Sequence, residues 1–113
     1  MSLFKKSEML MYTKKDFDKK LPVGMIMIGA KWCGFCQDLK PIWKQLKEQA
    51  KEHTIAAVDA MKNQELIHMM GITGYPTIFI VMNNGNLKEY TGPRTVEALK
   101  KKLPKLRKKK VKK

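Results

Sequence analysis

The chain has 113 residues, of which 43% are hydrophobic and 30% charged, with a formal net charge of +14. This length is sufficient for one domain with its own core, and the apolar content excludes an intrinsically disordered chain. The longest apolar-rich run, residues 23–30, is too short to span a bilayer, and no targeting segment stands out at the N-terminus. We therefore expect a cytoplasmic protein without a membrane span.

The positive charge is concentrated at the C-terminal end. Residues 100–113 contain ten basic side chains and no acidic one, which leaves a net charge of +4 for residues 1–99. We predict a domain over residues 1–103 and a basic tail over residues 104–113. The tail is either a solvated extension of the last helix or a segment that binds an anionic partner. It also has the composition of a nuclear-localisation segment, which makes the nucleus the alternative location.

The first half of the chain predicts two strands and two helices. A short apolar run at residues 9–12 predicts a strand, and residues 14–21 predict a short helix that Pro22 ends. Residues 23–30 are apolar throughout, which is typical of a strand buried on both faces. Over residues 33–51, apolar side chains recur from Phe35 onwards at spacings of three and four. This spacing predicts a long helix that buries one face and has Pro41 inside it.

The second half predicts a strand, a helix, a pair of strands and a last helix. Their ranges are residues 54–60, 63–70, 77–82, 86–91 and 94–103. Asn84-Gly85 is a strong hairpin signal, so the last two strands should be antiparallel. Gly71 is placed to end the preceding helix. The order βαβαβαββα predicts an α/β fold, with a mixed sheet of about five strands flanked by about four helices.

Both cysteines of the chain stand in the stretch KWCGFCQDLKP, residues 31–41. Cys33 directly follows a predicted strand and opens the long helix. Free N–H groups and the positive end of the helix dipole favour the thiolate form at that position. Cys36 lies one turn further on and is expected to be more buried. We predict that Cys33 attacks a substrate disulfide and that Cys36 resolves the mixed disulfide.

Two other roles for the cysteine pair compete with the redox role. A structural zinc site needs four ligands, and only His53 and His68 are available on other elements, so we expect no metal and no other cofactor. A structural disulfide that closes so short a loop would stabilise the fold very little. A redox-active dithiol is therefore favoured.

Several motifs in this order and spacing carry a family resemblance. They are Trp32-Cys33-Gly34-Phe35-Cys36, Pro41, Asp59, Gly74-Tyr75-Pro76-Thr77 and Tyr90-Thr91-Gly92-Pro93-Arg94. Over residues 9–103 the sequence resembles the thioredoxin superfamily, and most of all the catalytic domains of protein disulfide isomerase. The resemblance implies a thioredoxin fold and a monomeric thiol-disulfide oxidoreductase. Its partners would be proteins or peptides with thiols or disulfides, and a thiol or dithiol that exchanges electrons with the chain.

The resemblance also implies roles for individual residues. The Tyr75–Pro76 bond would be cis and face the dithiol, and the backbone of Tyr75 would pair with an extended substrate strand. Arg94 would approach Cys36 and favour its ionisation. Substrate-binding positions around the sulfurs would be Trp32, Gly34, Phe35, Ile72, Tyr75, Pro76 and Pro93.

Two positions depart from the family pattern. Met27 stands where the family usually buries a carboxylate that exchanges a proton with the second cysteine, and a methionine accepts no proton. Phe35 stands between the cysteines and provides no imidazole to stabilise the Cys33 thiolate. An alternative hypothesis is therefore a thioredoxin-fold module that binds peptides or anions with weak or no redox turnover. We favour the enzyme.

Overall fold

This computed structural model describes residues 2–106, along which strands and helices alternate until two consecutive strands precede the last helix. The elements are β1 (Leu10–Tyr12), α1 (Lys14–Phe17), β2 (Gly24–Gly29), α2 (Gly34–Gln49), β3 (Thr54–Asp59), α3 (Gln64–Met70), β4 (Thr77–Val81), β5 (Leu87–Tyr90) and α4 (Val96–Lys102). A 3-10 helix, Ala60–Lys62, connects β3 to α3. Apart from this 3-10 helix, the order of elements predicted from the sequence is confirmed.

The strands form one mixed sheet in the order β1-β3-β2-β4-β5. The β1–β3 and β3–β2 pairs are parallel, whereas β4 is antiparallel to both β2 and β5. All six residues of β2 are buried, as its unbroken apolar sequence predicted for a central strand. Gly85 adopts a positive φ of 87° in the β4–β5 turn, a conformation that glycine reaches without steric cost. The predicted hairpin is therefore confirmed.

Helices cover both faces of the sheet. Helices α2 and α4 pack on the face that carries Met25 and Met27, where Trp43 and Leu99 are fully buried. The Trp43 indole N–H donates a hydrogen bond of 2.9 Å to the carbonyl oxygen of Ala56 in β3, which ties α2 to the sheet. Helices α1 and α3 pack on the opposite face, on the second cluster of buried apolar side chains. The layers are those expected of the predicted α/β sandwich.

The segment before β1 is attached to α2. The ring of Phe4 is buried in the core, and the ammonium of Lys40 lies 5.7 Å from its centroid. The carboxylate of Glu8 accepts the Lys5 amide hydrogen at 2.9 Å and pairs with Lys44 at 3.1 Å and Lys40 at 3.4 Å. The backbone hydrogen bond, followed by these lysines, lowers the pKa of Glu8 to about 2. These contacts hold the first residues of the chain against α2.

Helix boundaries differ from the predicted ones at two places. α1 ends at Phe17, because no buried side chain of this helix anchors a further turn and a short helix gains little without such packing. α4 begins only at Val96, since the Thr95 hydroxyl accepts the amide hydrogen of Ala98 at 3.2 Å and caps the helix there. Gly71 ends α3 with a left-handed φ of 67°, as predicted.

The structure follows the chain a short way past α4. The Pro104 carbonyl lies 2.7 Å from Nε2 of His53, and the Lys105 carbonyl accepts a hydrogen bond of 3.0 Å from the side-chain amide of Asn83. The rest of the predicted basic tail, residues 107–113, lies outside the described residues, so the tail and its boundary stay predictions. Within residues 2–106, no helix is both long and apolar enough to cross a membrane.

Candidate active site: a dithiol at the start of a helix

Cys33 lies where the chain passes from the central strand into the long helix. It is the N-cap residue of α2, and its amide donates a hydrogen bond of 3.1 Å to the carbonyl of Ala30. Its sulfur accepts the amide hydrogen of Cys36 at 3.2 Å, and both cysteines are free thiols. A helix N-terminus presents unpaired N–H donors and a positive dipole end. Both features stabilise negative charge on the Cys33 sulfur.

Cys36 lies one turn further along α2 and is fully buried, whereas 7% of the Cys33 surface is exposed. Burial, and next the hydrogen bond with Cys33, raise the pKa of Cys36 to about 12. A backbone hydrogen bond at Ala30 and the positive charge of Arg94 act in the opposite direction with smaller effect. The thiol of Cys36 therefore stays protonated at neutral pH unless another group takes its proton.

Gly29, the last residue of β2, allows Cys36 to approach the sheet. A Cβ atom at this position would lie 2.9 Å from the Cys36 sulfur and 3.3 Å from its Cβ. Contacts under 3.0 Å force a shift of one partner, so a side chain here would displace Cys36. We did not predict a role for Gly29 from the sequence. A glycine at the end of a buried strand is a recognised sign of such a close approach, and it was the available signal.

The interior next to Cys36 is apolar at the position where the family places a carboxylate. Met27 is fully buried, and its strand partners are Ala57 on β3 and Ile78 on β4. None of these three side chains can accept a proton. Within residues 2–106, Asp59 at the end of β3 is the one charged side chain that is buried.

Aromatic side chains lie exposed beside the dithiol. Trp32 is 64% exposed, and its ring meets that of Tyr75 edge to face, with centroids 5.8 Å apart. Phe35 is 68% exposed, so its inclusion in the buried apolar face of α2 is wrong. It lies in the first helical turn and points to solvent. Gly34 faces open space, because no atom lies within 4 Å of the point that a Cβ atom would occupy there.

The loop before β4 brings Pro76 to the same end of the sheet. The Tyr75–Pro76 bond is cis, as the resemblance implied. Pro76 is buried, and the next residue, Thr77, pairs with Ile28 near the end of β2. Ile72 lies in the same loop and is half-buried against the core beneath α3, so its place in a substrate groove stays a prediction.

The loop between β5 and α4 carries the remaining predicted residues. Tyr90 donates a hydrogen bond from its hydroxyl to the carbonyl of Pro93, and burial raises the pKa of Tyr90. Pro93 is exposed and lines a cavity of about 390 Å³ with residues of β5 and α4. Arg94 is exposed, and its charge reaches Cys36 as described. A contact between Pro93 and the dithiol stays a prediction.

Side chains of the types that can bind metals do not cluster in the described part of the chain. Over residues 2–106, no three side chains of histidine, cysteine, aspartate or glutamate are grouped as metal ligands would be.

Comparisons with known proteins agree with this geometry. The family model described as Thioredoxin matches residues 8–105. Human protein disulfide-isomerase A6 is 37% identical over 99 residues, which make up 80% of this chain and 22% of that protein. A thioredoxin domain-containing protein 5 homolog from Drosophila melanogaster is 35% identical over 92 residues, 74% of this chain and 22% of that protein. The chain thus spans about a fifth of the length of these relatives.

Solved structures of other proteins are also similar to this chain. The J-Trx1 fragment of ERdj5 superposes with a TM-score of 0.72 at 27% identity, covering 81% of this chain and 46% of that one. The zinc-bound form of human ERp44 superposes with a TM-score of 0.71 at 28% identity, covering 81% of this chain and 30% of that one.

The relatives correct the predicted location. Protein disulfide-isomerase A6, ERp44 and ERdj5 are proteins of the endoplasmic reticulum, so the prediction of a cytoplasmic protein is wrong. That prediction depended on the first residues of the sequence. Because the chain spans only about a fifth of its relatives' length, these residues do not indicate its compartment.

Proposed function

The chain belongs to the thioredoxin family, and we propose that it is a thiol-disulfide oxidoreductase that acts on protein disulfides through Cys33 and Cys36. Its likeness to protein disulfide isomerases supports this class of activity in general. The roles of individual residues, and protein substrates with disulfides, are part of the proposal.

One observation carries the proposal. The sulfur of Cys33 accepts the Cys36 amide hydrogen at 3.2 Å at the N-terminus of a 16-residue helix, while the Cys36 thiol is buried behind it. The first sulfur is therefore held in a field that favours a thiolate, which is the form that attacks a disulfide. The second thiol is held close to the first and kept from solvent, as a resolving thiol should be.

The reaction follows from these two positions. The Cys33 thiolate attacks one sulfur of a substrate disulfide, a mixed disulfide forms, and the other substrate sulfur leaves as a thiolate. Cys36 then loses its proton and attacks the Cys33 sulfur. The Cys33–Cys36 disulfide forms and the second substrate sulfur leaves as a thiolate. Two electrons pass from the dithiol to the substrate, and the same steps in reverse oxidise a substrate dithiol.

Exposed aromatic surface supports a polypeptide substrate. Trp32, which precedes Cys33 in the chain, and Phe35, which follows it, present large apolar side chains to solvent, and such exposed groups commonly mark a binding surface. We propose that they contact the substrate together with Tyr75, whose backbone pairs with an extended substrate segment. Gly34 leaves the approach to Cys33 free of a side chain.

The test is reduction of insulin disulfides with dithiothreitol as the electron source. The chain should accelerate the reaction, and Cys33→Ser should abolish the acceleration because the attacking sulfur is lost. Cys36→Ser should form a lasting mixed disulfide with the substrate, since nothing resolves it. Failure of the unsubstituted chain to exceed the rate in buffer, or an unchanged rate with Cys33→Ser, would rule out the proposal.

A second candidate is a peptide-binding module with little redox turnover. The observation that favours it is the pKa of about 12 at Cys36, which slows resolution if no group accepts the proton. In that case the chain would bind unfolded polypeptides through Trp32 and Phe35 equally well with Cys33→Ser. Rapid turnover of insulin by the unsubstituted chain would argue against it.

A further inference from the structure

The resolving step needs a proton acceptor, and this inference rests on the proposed function. Cys36 must lose a proton before it attacks the Cys33 sulfur, yet it is fully buried among apolar side chains such as Met27. Proton transfer to a positioned group is the usual solution to such a barrier. A protein group that accepts this proton would have to lie near the buried thiol, on the same face of the sheet.

Asp59 meets that description. It is 7% exposed and is the one buried charged residue within residues 2–106. Oδ1 of its carboxylate accepts the amide hydrogen of Met61 at 3.0 Å, whereas Oδ2 is buried and has no hydrogen-bond partner among the described residues. An unpartnered buried acceptor is unusual in a folded protein and commonly signals a functional role or a bound water. Its lone pairs are available for a proton.

The register of the sheet places Asp59 beside the thiol. Asp59 is the strand partner of Gly29 in the parallel β2–β3 pair, so their Cβ directions point to the same face. A Cβ atom on Gly29 would lie 2.9 Å from the Cys36 sulfur, and neighbouring strands are about 4.8 Å apart. The Cβ atom of Asp59 therefore lies within about 8 Å of that sulfur. Gly29 itself contributes no side chain between them, and the methyl carbon of Met27 lies 3.3 Å from the point that a Cβ atom of Gly29 would occupy.

A mainly apolar cavity with a few polar groups adjoins the Asp59 carboxylate. It has a volume of about 290 Å³ and is lined by Asp59, by Phe4 and by Ser2, whose buried hydroxyl also has no partner among residues 2–106. A cavity that holds water needs room for one molecule and two or more polar partners, and both conditions are met. Cys36 is not among the residues that line this cavity. Water in the cavity would connect the carboxylate to the cavity mouth, and the transfer from Cys36 would need a further water molecule, with hydrogen bonds of about 2.8 Å, between the sulfur and the carboxylate.

We propose that Asp59 accepts, through water at this end of the sheet, the proton that Cys36 loses when it resolves the mixed disulfide. The Cys36 sulfur gains the electron pair of its S–H bond, forms the S–S bond with Cys33, and displaces the substrate thiolate. Asp59 becomes a neutral carboxylic acid and later returns its proton to solvent through the cavity. The chain thereby places a proton acceptor on β3, one strand away from the apolar position of Met27.

The test measures the resolving step by itself. The reduced chain is mixed with glutathione disulfide and quenched with acid at intervals, and mass spectrometry follows the Cys33–glutathione mixed disulfide and its conversion to the Cys33–Cys36 disulfide. Asp59→Asn keeps a side-chain oxygen for the Met61 amide but removes the base. We expect the conversion to slow on the order of 100-fold, the usual contribution of a general base.

The pH profile separates a proton acceptor from a structural residue. With the carboxylate present, the resolving rate should not rise in proportion to hydroxide. In Asp59→Asn it should rise in proportion to hydroxide from pH 5 to 9. Cys33 is held in the mixed disulfide during this step and does not titrate. The other charged or titratable groups that line the cavity or act on Cys36 are Lys6, Tyr12, Lys62 and Arg94. Lysine, tyrosine and arginine side chains ordinarily change charge above this pH range.

The outcomes are distinguishable. A wild-type resolving rate with a wild-type pH profile in Asp59→Asn would overturn the inference but leave the proposed function intact. Failure of Cys36→Ser to form the glutathione mixed disulfide would instead overturn the proposed function. Should Asp59→Asn fail to fold, the unsubstituted chain still decides. A resolving rate that rises in strict proportion to hydroxide across pH 5 to 9 would show that no internal base takes part.

Discussion

Gly29→Ala tests the close contact between the sheet and the resolving thiol. The new Cβ atom would lie 2.9 Å from the Cys36 sulfur and 3.3 Å from the methyl carbon of Met27. Both neighbours are fully buried, so neither can move into solvent. Overpacking a core by one methyl group costs about 1–3 kcal/mol. We therefore expect the equilibrium constant for unfolding to rise about 5- to 150-fold.

Gly34→Ala is the matched control for this substitution. It adds the same methyl group at the first residue of α2, five positions after the end of β2, but no atom lies within 4 Å of the added carbon. Its backbone φ is not positive, and alanine is favoured over glycine in a helix by about 0.5–1 kcal/mol. Its stability should be unchanged or slightly raised.

The assay is urea denaturation of the reduced proteins at pH 7, followed by far-ultraviolet circular dichroism. The free energy of unfolding is extrapolated to zero urea for each variant. A dithiol reductant keeps both cysteines as thiols, so that only packing is compared. Equal free energies of unfolding for Gly29→Ala and Gly34→Ala would refute the claimed contact with Cys36.

Three further substitutions test the charges and exposed rings. Trp32→Ala should leave the free energy of unfolding within about 0.5 kcal/mol, because the ring is largely exposed. It should nevertheless raise the KM for insulin, since its edge-to-face pair with Tyr75 is part of the proposed substrate surface. An unchanged KM would remove Trp32 from that surface. Glu8→Gln should lower stability at pH 7, since a backbone N–H and two lysines lower the pKa of Glu8 to about 2 from 4.5. That contribution is complete above about pH 4.5 and is lost as the pH falls through about 2, so the urea midpoints of the two proteins should converge with acid. A difference that persists at pH 2 would contradict the assignment. Arg94→Gln should raise the pKa of Cys36 further and slow the resolving step, whereas Arg94→Lys keeps the charge and should be slowed less. Equal rates for both variants and the unsubstituted chain, in the acid-quench assay, would show that Arg94 does not act on Cys36.

Local sequence patterns were sufficient to predict most of the fold. The unbroken apolar run of β2 indicated a central strand, and the Asn-Gly pair indicated the β4–β5 hairpin. Gly71 indicated the end of α3. Each of these signals lies within a few residues of the element that it specifies. For that reason they could be recognised without knowledge of the tertiary structure.

The attachment of the N-terminal segment could not be predicted in this way. Phe4 stands in a segment rich in charged residues, yet it is buried in the core, with the ammonium of Lys40, 36 positions later, 5.7 Å from its ring. Glu8 likewise depends on Lys40 and Lys44 of α2. No periodicity in the sequence indicates such pairs, because they exist only once α2 has packed on the sheet.

In the candidate site, too, the local features could be predicted from the sequence and the tertiary contacts could not. The places of Cys33 and Cys36 could be predicted from the sequence because their spacing and a helix start determine their relative positions. The relation between Cys36 and Asp59 could not, since it depends on the register that pairs Gly29 with Asp59 across two strands. The sequence showed only that Met27 cannot accept a proton. Which residue could accept it became visible only from the pairing of β2 with β3.

We assign an effect on the ionisation of Cys36 to two charged side chains, Arg94 and Asp59, which act at different stages. Arg94 carries a positive charge that stabilises the Cys36 thiolate once it exists, whereas Asp59 would take the proton that must first leave. Removing the arginine should therefore lower the resolving rate without changing the shape of its pH profile. Removing the carboxylate in Asp59→Asn should change the shape of this pH profile. If the two groups act independently, the effects of Arg94→Gln and Asp59→Asn on the logarithm of the rate will add in the double variant. A double variant no slower than Asp59→Asn alone would mean that Arg94 acts only through that proton transfer.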